Sequence, residues 1–136
     1  MKKYLITLLV ICLGLSACSA KNAEPSASLI GSWKLTSYGS AASPTPAVAG
    51  AGGELTFSND GKVTGNSGCN GLGGNYKVDG DKITFDQIIS TLMACDDPRM
   101  KQEGAVHQVL NDTASFKIEG NTLTLTNNDN ALVLTR

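Results

Sequence analysis

Over most of its length the chain alternates apolar and polar residues with the period of two that a half-buried strand requires. In Ser32 to Tyr38, Trp33 and Leu35 point one way while Lys34 and Thr36 point the other. Leu55 and Phe57 repeat the pattern, and Asn59-Asp60-Gly61 turns the chain toward Val63. Tyr76 to Phe85 (YKVDGDKITF) then matches Phe116 to Leu125 (FKIEGNTLTL) almost position for position. Each block reads as a hairpin: an apolar arm, an acidic-Gly turn and a return arm. Asp79-Gly80 predicts a type I′ turn, which needs positive φ at both central residues. Glu119-Gly120-Asn121 is a looser version. Leu132 and Leu134 predict a last strand. Short strands separated by turns at this spacing predict a mainly β fold: a single small antiparallel barrel-like domain, with one helix packed on it.

The helix is the one departure from that period. Asp97 reads as its N-cap and Pro98 as its first residue, and the element runs to Asn111. At 100° per residue, Arg99, Gln102, Val106, Val109, Leu110 and Thr113 share a face, with Val106, Val109 and Leu110 at its apolar centre. Gly104 costs about 1 kcal/mol relative to Ala, so packing has to hold the helix. Glu103 lies at the edge of this face. Two accounts stand: a solvated edge position, or a buried acceptor of N–H groups from a glycine-rich turn.

A third kind of pattern opens the chain. Lys2 and Lys3 precede an apolar run from Tyr4 to Leu15, too short for the roughly 20 residues of a membrane span and typical of a secretory leader. The junction Leu15-Ser16-Ala17-Cys18 resembles the lipobox of bacterial lipoproteins. That resemblance implies a signal peptide over 1–17 and diacylglycerol on the Cys18 thiol, which would anchor the protein in a membrane of the cell envelope. Ser19, not Asp, follows the cysteine, which in a diderm source points to the outer membrane. Residues 18–28 (CSAKNAEPSAS) form a polar tether, and the domain occupies 29–136. A second low-complexity stretch, Gly39 to Gly53, offers little to pack and reads as a long mobile loop, an insertion between the first two strands.

Charge and cysteine usage narrow the function. Without Lys2 and Lys3, nine basic residues stand against twelve acidic ones, a net charge of −3 with no basic cluster. Nucleic acid is therefore not an expected partner. Cys12 leaves with the leader and Cys18 carries lipid. Cys69 and Cys95 remain, and in an oxidising compartment pairing is the default, with two buried thiols as the alternative. The glycines of Gly65 to Tyr76 (GNSGCNGLGGNY) lack the G-x-G-x-x-G and Gly-Lys-Ser/Thr patterns of phosphate loops. His107, the single histidine, has no sequence neighbour that would make it the base for a thiol nucleophile. Nor do Cys69, Cys95 and His107 have the spacing of a zinc motif. The expectation is a non-enzyme with no metal and no cofactor.

These blocks together resemble the META domain family, to which the HslJ heat-shock proteins belong. The resemblance opens with Leu29-Ile-Gly-Ser-Trp33-Lys-Leu35. It is most specific at Gly65-x-x-Gly68-Cys69-Asn70 and Gly74-x-Tyr76. It continues through Ile88-x-x-Thr91-x-Met93-Ala94-Cys95-x-Asp97-Pro98 to Glu103 and Leu110. Leu72 stands where the family often has a bulky aromatic. Membership implies a compact, barrel-like β-domain with structural roles for Trp33, Gly68, Asn70, Gly74, Tyr76, Thr91, Met93, Ala94 and Glu103, and it carries over no catalytic residue. Members are linked to heat induction and to novobiocin tolerance. The expected function is a monomeric, non-enzymatic envelope lipoprotein that binds a partner or supports stress tolerance. The alternatives are a small-ligand-binding module and an inhibitor of an extracellular hydrolase.

Overall fold

The computed structural model describes residues 25–136. The expected leader 1–17, the expected lipidation site Cys18 and most of the expected tether lie outside the described residues. A single helical turn, α1 (Pro25–Leu29), leads into β1 (Gly31–Ser40). There follow β2 (Thr45–Pro46), β3 (Glu54–Phe57), β4 (Lys62–Asn66), β5 (Gly71–Asp79) and β6 (Lys82–Ser90). The helix α2 (Asp97–Val109) precedes β7 (Thr113–Glu119), β8 (Thr122–Asn127) and β9 (Asn130–Thr135).

All pairings are antiparallel. Successive strands from β3 to β9 are neighbours, and β1 pairs with both β3 and β9. With β2 only a short addition to β1, eight strands close a ring. The closure is made by dividing β1. Its first residues, Gly31 to Lys34, pair with β3, and Lys34 to Ser40 pair with β9. A register shift between Leu35 and Ser37, just inside the stretch paired with β9, is the bend that a bulge gives a strand turning a barrel corner.

The two related blocks form the β5–β6 and β7–β8 hairpins. Asp79 pairs with Lys82 and Glu119 with Thr122, so the turn residues are Gly80-Asp81 and Gly120-Asn121. Only the glycines have positive φ, 60° and 59°. This is the type II′ arrangement, with Gly first, and it replaces the type I′ turn expected at Asp79-Gly80. The helix also starts one residue earlier than its sequence suggests. Asp96 is the N-cap, with its carboxylate accepting from the Arg99 N–H, and Asp97 is already helical.

The register fixes two ends of the barrel. At one, the terminal end, lie the start of β1, the last residue of β9 and the β3–β4, β5–β6 and β7–β8 turns. At the other, the helix end, lie the β4–β5 connection, the end of β6, the segment 91–96 and the β8–β9 turn. Between the ends the interior is solid. Trp33, Phe57, Val63, Ile83, Leu123, Leu125, Leu132 and Leu134 are fully buried, with Val106, Val109 and Leu110 of α2 packed among them. An eight-stranded barrel is just wide enough either to be filled by side chains or to hold one small ligand; here the side chains fill it.

The stretch from Gly39 to Gly53, expected to be a mobile insertion, is a strap. Ala47 N–H donates to Thr36 O at 2.9 Å, Leu35 N–H to Gly53 O at 2.9 Å, and Val48 N–H to the Gln102 side chain at 2.7 Å. It covers the part of the β1 edge that β3 is too short to pair. Small residues suit this course, because a Cβ on Gly53 would crowd Leu35 and Gln102.

Candidate functional site

At the helix end, α2 presents two neighbouring polar side chains inward, Gln102 at 0% exposure and Glu103 at 8%. A buried polar group is tolerated only when it is hydrogen-bonded, and both are. Gln102 donates to Ser67 O at 2.7 Å while accepting from Val48 N–H, so it joins the glycine-rich turn to the strap. Glu103 accepts from the Ser67 hydroxyl at 2.8 Å, the Asn70 N–H at 3.1 Å and the Asn70 amide at 2.9 Å. Of the two accounts of Glu103 left open by the sequence, the buried acceptor is the one the structure shows.

Gly68 is what lets the turn come so close. Its φ is +107°, and a Cβ there would run into the Gln102 amide. Asn70, 1% exposed, is the hub of the arrangement. Its amide nitrogen donates to Glu103 and to Met93 O at 3.0 Å; its amide oxygen accepts from the Thr91 hydroxyl and the Met93 N–H, both at 2.7 Å. One side chain thus binds the turn, the helix and the segment after β6. Beside it, Cys69 and Cys95 form a disulfide with a Cα–Cα distance of 6.0 Å.

Gly68, Cys69, Asn70, Thr91, Met93, Cys95 and Glu103 therefore converge. Trp33, Gly74 and Tyr76 do not. Trp33 sits at the terminal end, fully buried, donating to Leu29 O at 2.8 Å with the Arg136 guanidinium 4.5 Å from its ring centroid. Gly74 lies at the register shift of β5 against β6, where a Cβ would meet Asp86 O and Gln87 O at 3.0 Å. Ala94 is exposed, next to Cys95. Ser67 and Gln102 belong to the cluster but were not singled out by their sequence context. The one available signal was Gln102 lying on the apolar stripe of α2.

Tyr76 packs edge-on against Phe57, with ring centroids 5.2 Å apart, and donates to Ser58 O at 2.8 Å. Burial, and secondarily the nearby charge of Asp60, push its phenol above the ordinary value of 10.0. A raised folded-state value favours the protonated form, so this contribution to stability is complete below the unfolded pKa and is lost as pH climbs through the folded one. Urea unfolding followed from neutral pH to above about pH 10 should show an alkaline decline that Tyr76→Phe reduces. An unchanged decline in that variant would assign it to other groups.

The chemistry open to this cluster is limited. Its thiols are bonded to each other, and its one carboxylate is occupied by hydrogen-bond donors. His107 lines a different feature, a groove of about 430 Å³ between β6 and α2 whose walls also include Asp86, Gln87 and Asp112. Neither Cys69 nor Cys95 lines that groove. Among the described residues, no group of three or more His, Cys, Asp or Glu is placed to hold a metal ion.

What the cluster does produce is a presented surface. The segment it pins carries Leu92 at 93% exposure and Met93 at 59%, with Ile89 of β6 at 74%. The backbone of Met93 is bonded at both N–H and C=O, while its side chain is turned to solvent.

The META domain family model matches residues 27–136. No curated protein shows significant similarity. Among solved structures, a protein from Burkholderia xenovorans studied by NMR is 26% identical, with a TM-score of 0.68 over 100% of this chain and 98% of that one. A DUF4847 family protein from Bacteroides vulgatus is 14% identical, with a TM-score of 0.59 over 79% of this chain and 92% of that one. A lipocalin-like protein from Bacteroides uniformis is 17% identical, with a TM-score of 0.53 over 79% of this chain and 97% of that one. The last two likenesses concern the barrel alone.

Proposed function

The chain belongs to the META domain family, and from that footing we propose that it is a non-enzymatic binding module of the bacterial cell envelope, held there by lipid on Cys18 and acting in stress tolerance. One observation supports this reading above the others. Asn70, Thr91 and Glu103 are used up in mutual hydrogen bonds, Gly68 in letting the turn approach Gln102, and the two cysteines in a disulfide. They build a surface; none is left as a nucleophile or a base. A carrier of small molecules inside the barrel is disfavoured because Trp33, Phe57 and the buried leucines occupy that space. An inhibitor that inserts the strap into a hydrolase is disfavoured because Val48 and Gly53 tie it to the domain.

The test has two arms. The mass of the mature protein taken from membranes should include acyl chains beginning at Cys18, and Cys18→Ser should release the protein into the soluble fraction. A deletion strain should lose heat or novobiocin tolerance and regain it with the wild-type chain but not with Cys18→Ser. An unmodified, freely soluble mature protein would end the anchoring proposal. A deletion strain as tolerant as its parent would end the stress role.

A further inference from the structure

The groove of about 430 Å³ between β6 and α2 has Phe85, Gln87 and Ile88 on one wall and Gly104, His107 and Gln108 on the other. Its β6 wall is an open strand edge. β7 pairs only with Lys82, Ile83 and Thr84 of β6. Phe85 N–H still donates to Asp112 O at 2.9 Å, and there the neighbouring chain turns away, with φ at +141°. β6 itself runs on to Ser90, paired from Asp86 onward with β5 alone. On the β5 side Thr91 N–H donates to Gly71 O. Backbone groups in an antiparallel strand alternate between its two sides, so Ser90 turns its N–H and C=O to the open one. Residues 86–90 thus offer about 17 Å of strand edge.

The helix wall opposite is bare without a reason inside the fold. Gly104 sits within α2, where glycine is unfavourable. Glycine is called for where the backbone needs positive φ or where a neighbour comes very close. Gly104 meets neither condition: its φ is not positive, and a Cβ there would have nothing within 4 Å. The close approach it allows is to something outside the domain. Asp86 and Asp112 line the same groove, and no Lys or Arg does. These walls call for an occupant with hydrogen-bonding groups along an extended backbone and with positive charge.

We propose that an extended, basic segment of a partner chain lies between β6 and α2 and adds to residues 86–90 as a further strand. This names the partner class of the binding module proposed above and rests on that reading. Strand addition takes its affinity from main-chain hydrogen bonds and its selectivity from side chains. Here the selective side chains are Lys or Arg facing Asp86 and Asp112. A second copy of this chain fits less well, since a two-fold contact would set the acidic edge against itself. A compact small molecule would leave most of the edge unpaired.

The protein purified from its host can be panned against a displayed library of random short peptides, with the selected sequences remade as soluble peptides for titration. They should alternate β-branched residues with Lys or Arg. Gly104→Leu fills the groove with a better helix former, so Tm should not fall, yet affinity should drop about tenfold or more. Asp86→Asn should weaken binding severalfold and flatten its salt dependence. Methylating the peptide's backbone nitrogens one at a time should give two alternating classes, with large losses only at nitrogens that face β6. Amide exchange at Ser90 should slow when peptide is bound. Selection of no peptide would overturn the proposal, as would binding indifferent to Gly104→Leu or to the methylation pattern. A dimer of the protein alone that Gly104→Leu dissociates would overturn it too, by giving the edge to a second copy. These readouts do not depend on lipid at Cys18 or on heat and novobiocin tolerance, so failure here leaves the anchoring and stress tests standing, and the reverse.

Discussion

Glu103→Ala should lower the unfolding free energy by about 3 kcal/mol or more, a large part of the 5–15 kcal/mol typical of a domain. The side chain lies 8% exposed and accepts from Ser67 Oγ, Asn70 N and Asn70 Nδ2. Each donor stranded in a buried site costs about 1–3 kcal/mol. The loss is tempered because Ser67 Oγ still meets Asn70 O at 3.1 Å, and Asn70 Nδ2 still meets Met93 O. Glu103→Gln keeps the volume but brings an amide NH2 among groups that are themselves donors, and about 2 kcal/mol should still be lost. Lys101→Ala, an exposed change on the same helix, should stay within about 0.5 kcal/mol of wild type. Urea unfolding of the three variants decides the matter. A Glu103→Ala protein as stable as Lys101→Ala would mean that the network contributes nothing net. A double-mutant cycle with Ser67→Ala should show coupling above about 0.5 kcal/mol, the level that separates residues in one network from independent ones.

Removing the disulfide should have an effect of similar size for a different reason. Cys69 and Cys95 are separated by 26 positions, and closing a loop of that length in the unfolded chain is worth about 3.5 kcal/mol. For a domain of this size that corresponds to a fall of about 15 °C in Tm. The folded state should change little, because Asn70 holds Thr91 and Met93 independently of the bridge. Melting in the presence and absence of reductant, alongside a Cys69→Ser, Cys95→Ser double variant, measures the loss. Amide exchange at Met93 should remain tied to global unfolding in the double variant. It should become local in Asn70→Ala, with the bridge intact. A reduced protein with an unchanged Tm would place the stability elsewhere.

The β architecture was legible because the strands keep a strict period of two with glycine at their turns, and because one face of each is buried. The hairpins were legible down to their ends, and the turn type was missed by one residue. Asp79-Gly80 reads as the loop, whereas Asp79 is a paired strand residue. The barrel was expected, but where its ring closes was not legible. No local signal marks that β1 divides itself between β3 and β9, since such a division depends on a bend at Thr36 and on a strand about a hundred positions away. The site was half legible. The resemblance to the META family pointed to Gly68 to Asn70 and Thr91 to Cys95, and counting cysteines made the Cys69–Cys95 bridge the favoured of two readings. Burial of Glu103 could not be read from periodicity, because the inner face of α2 is half polar. Gln102 and Glu103 share it with Val106 and Val109, which blurs the apolar stripe at the point where the helix meets the turn. The strap escaped notice for a related reason. Its small residues are held by backbone hydrogen bonds, which leave no trace in hydropathy.

The seam between β1 and β9 also governs when the fold can form. The Thr36 hydroxyl donates to Val133 O across 97 positions of sequence, so the first long strand waits for the last one. Contacts this distant in sequence make for slow assembly, and until Asn130 to Thr135 is available both β1 and β8 present open edges of the kind that recruit other chains. If the chain is exported N-terminus first, as the anchoring proposal requires, that delay is useful, because an unclosed chain can pass through a narrow channel. It also means that a premature stop anywhere before β9 yields an open, adhesive sheet in place of a smaller barrel.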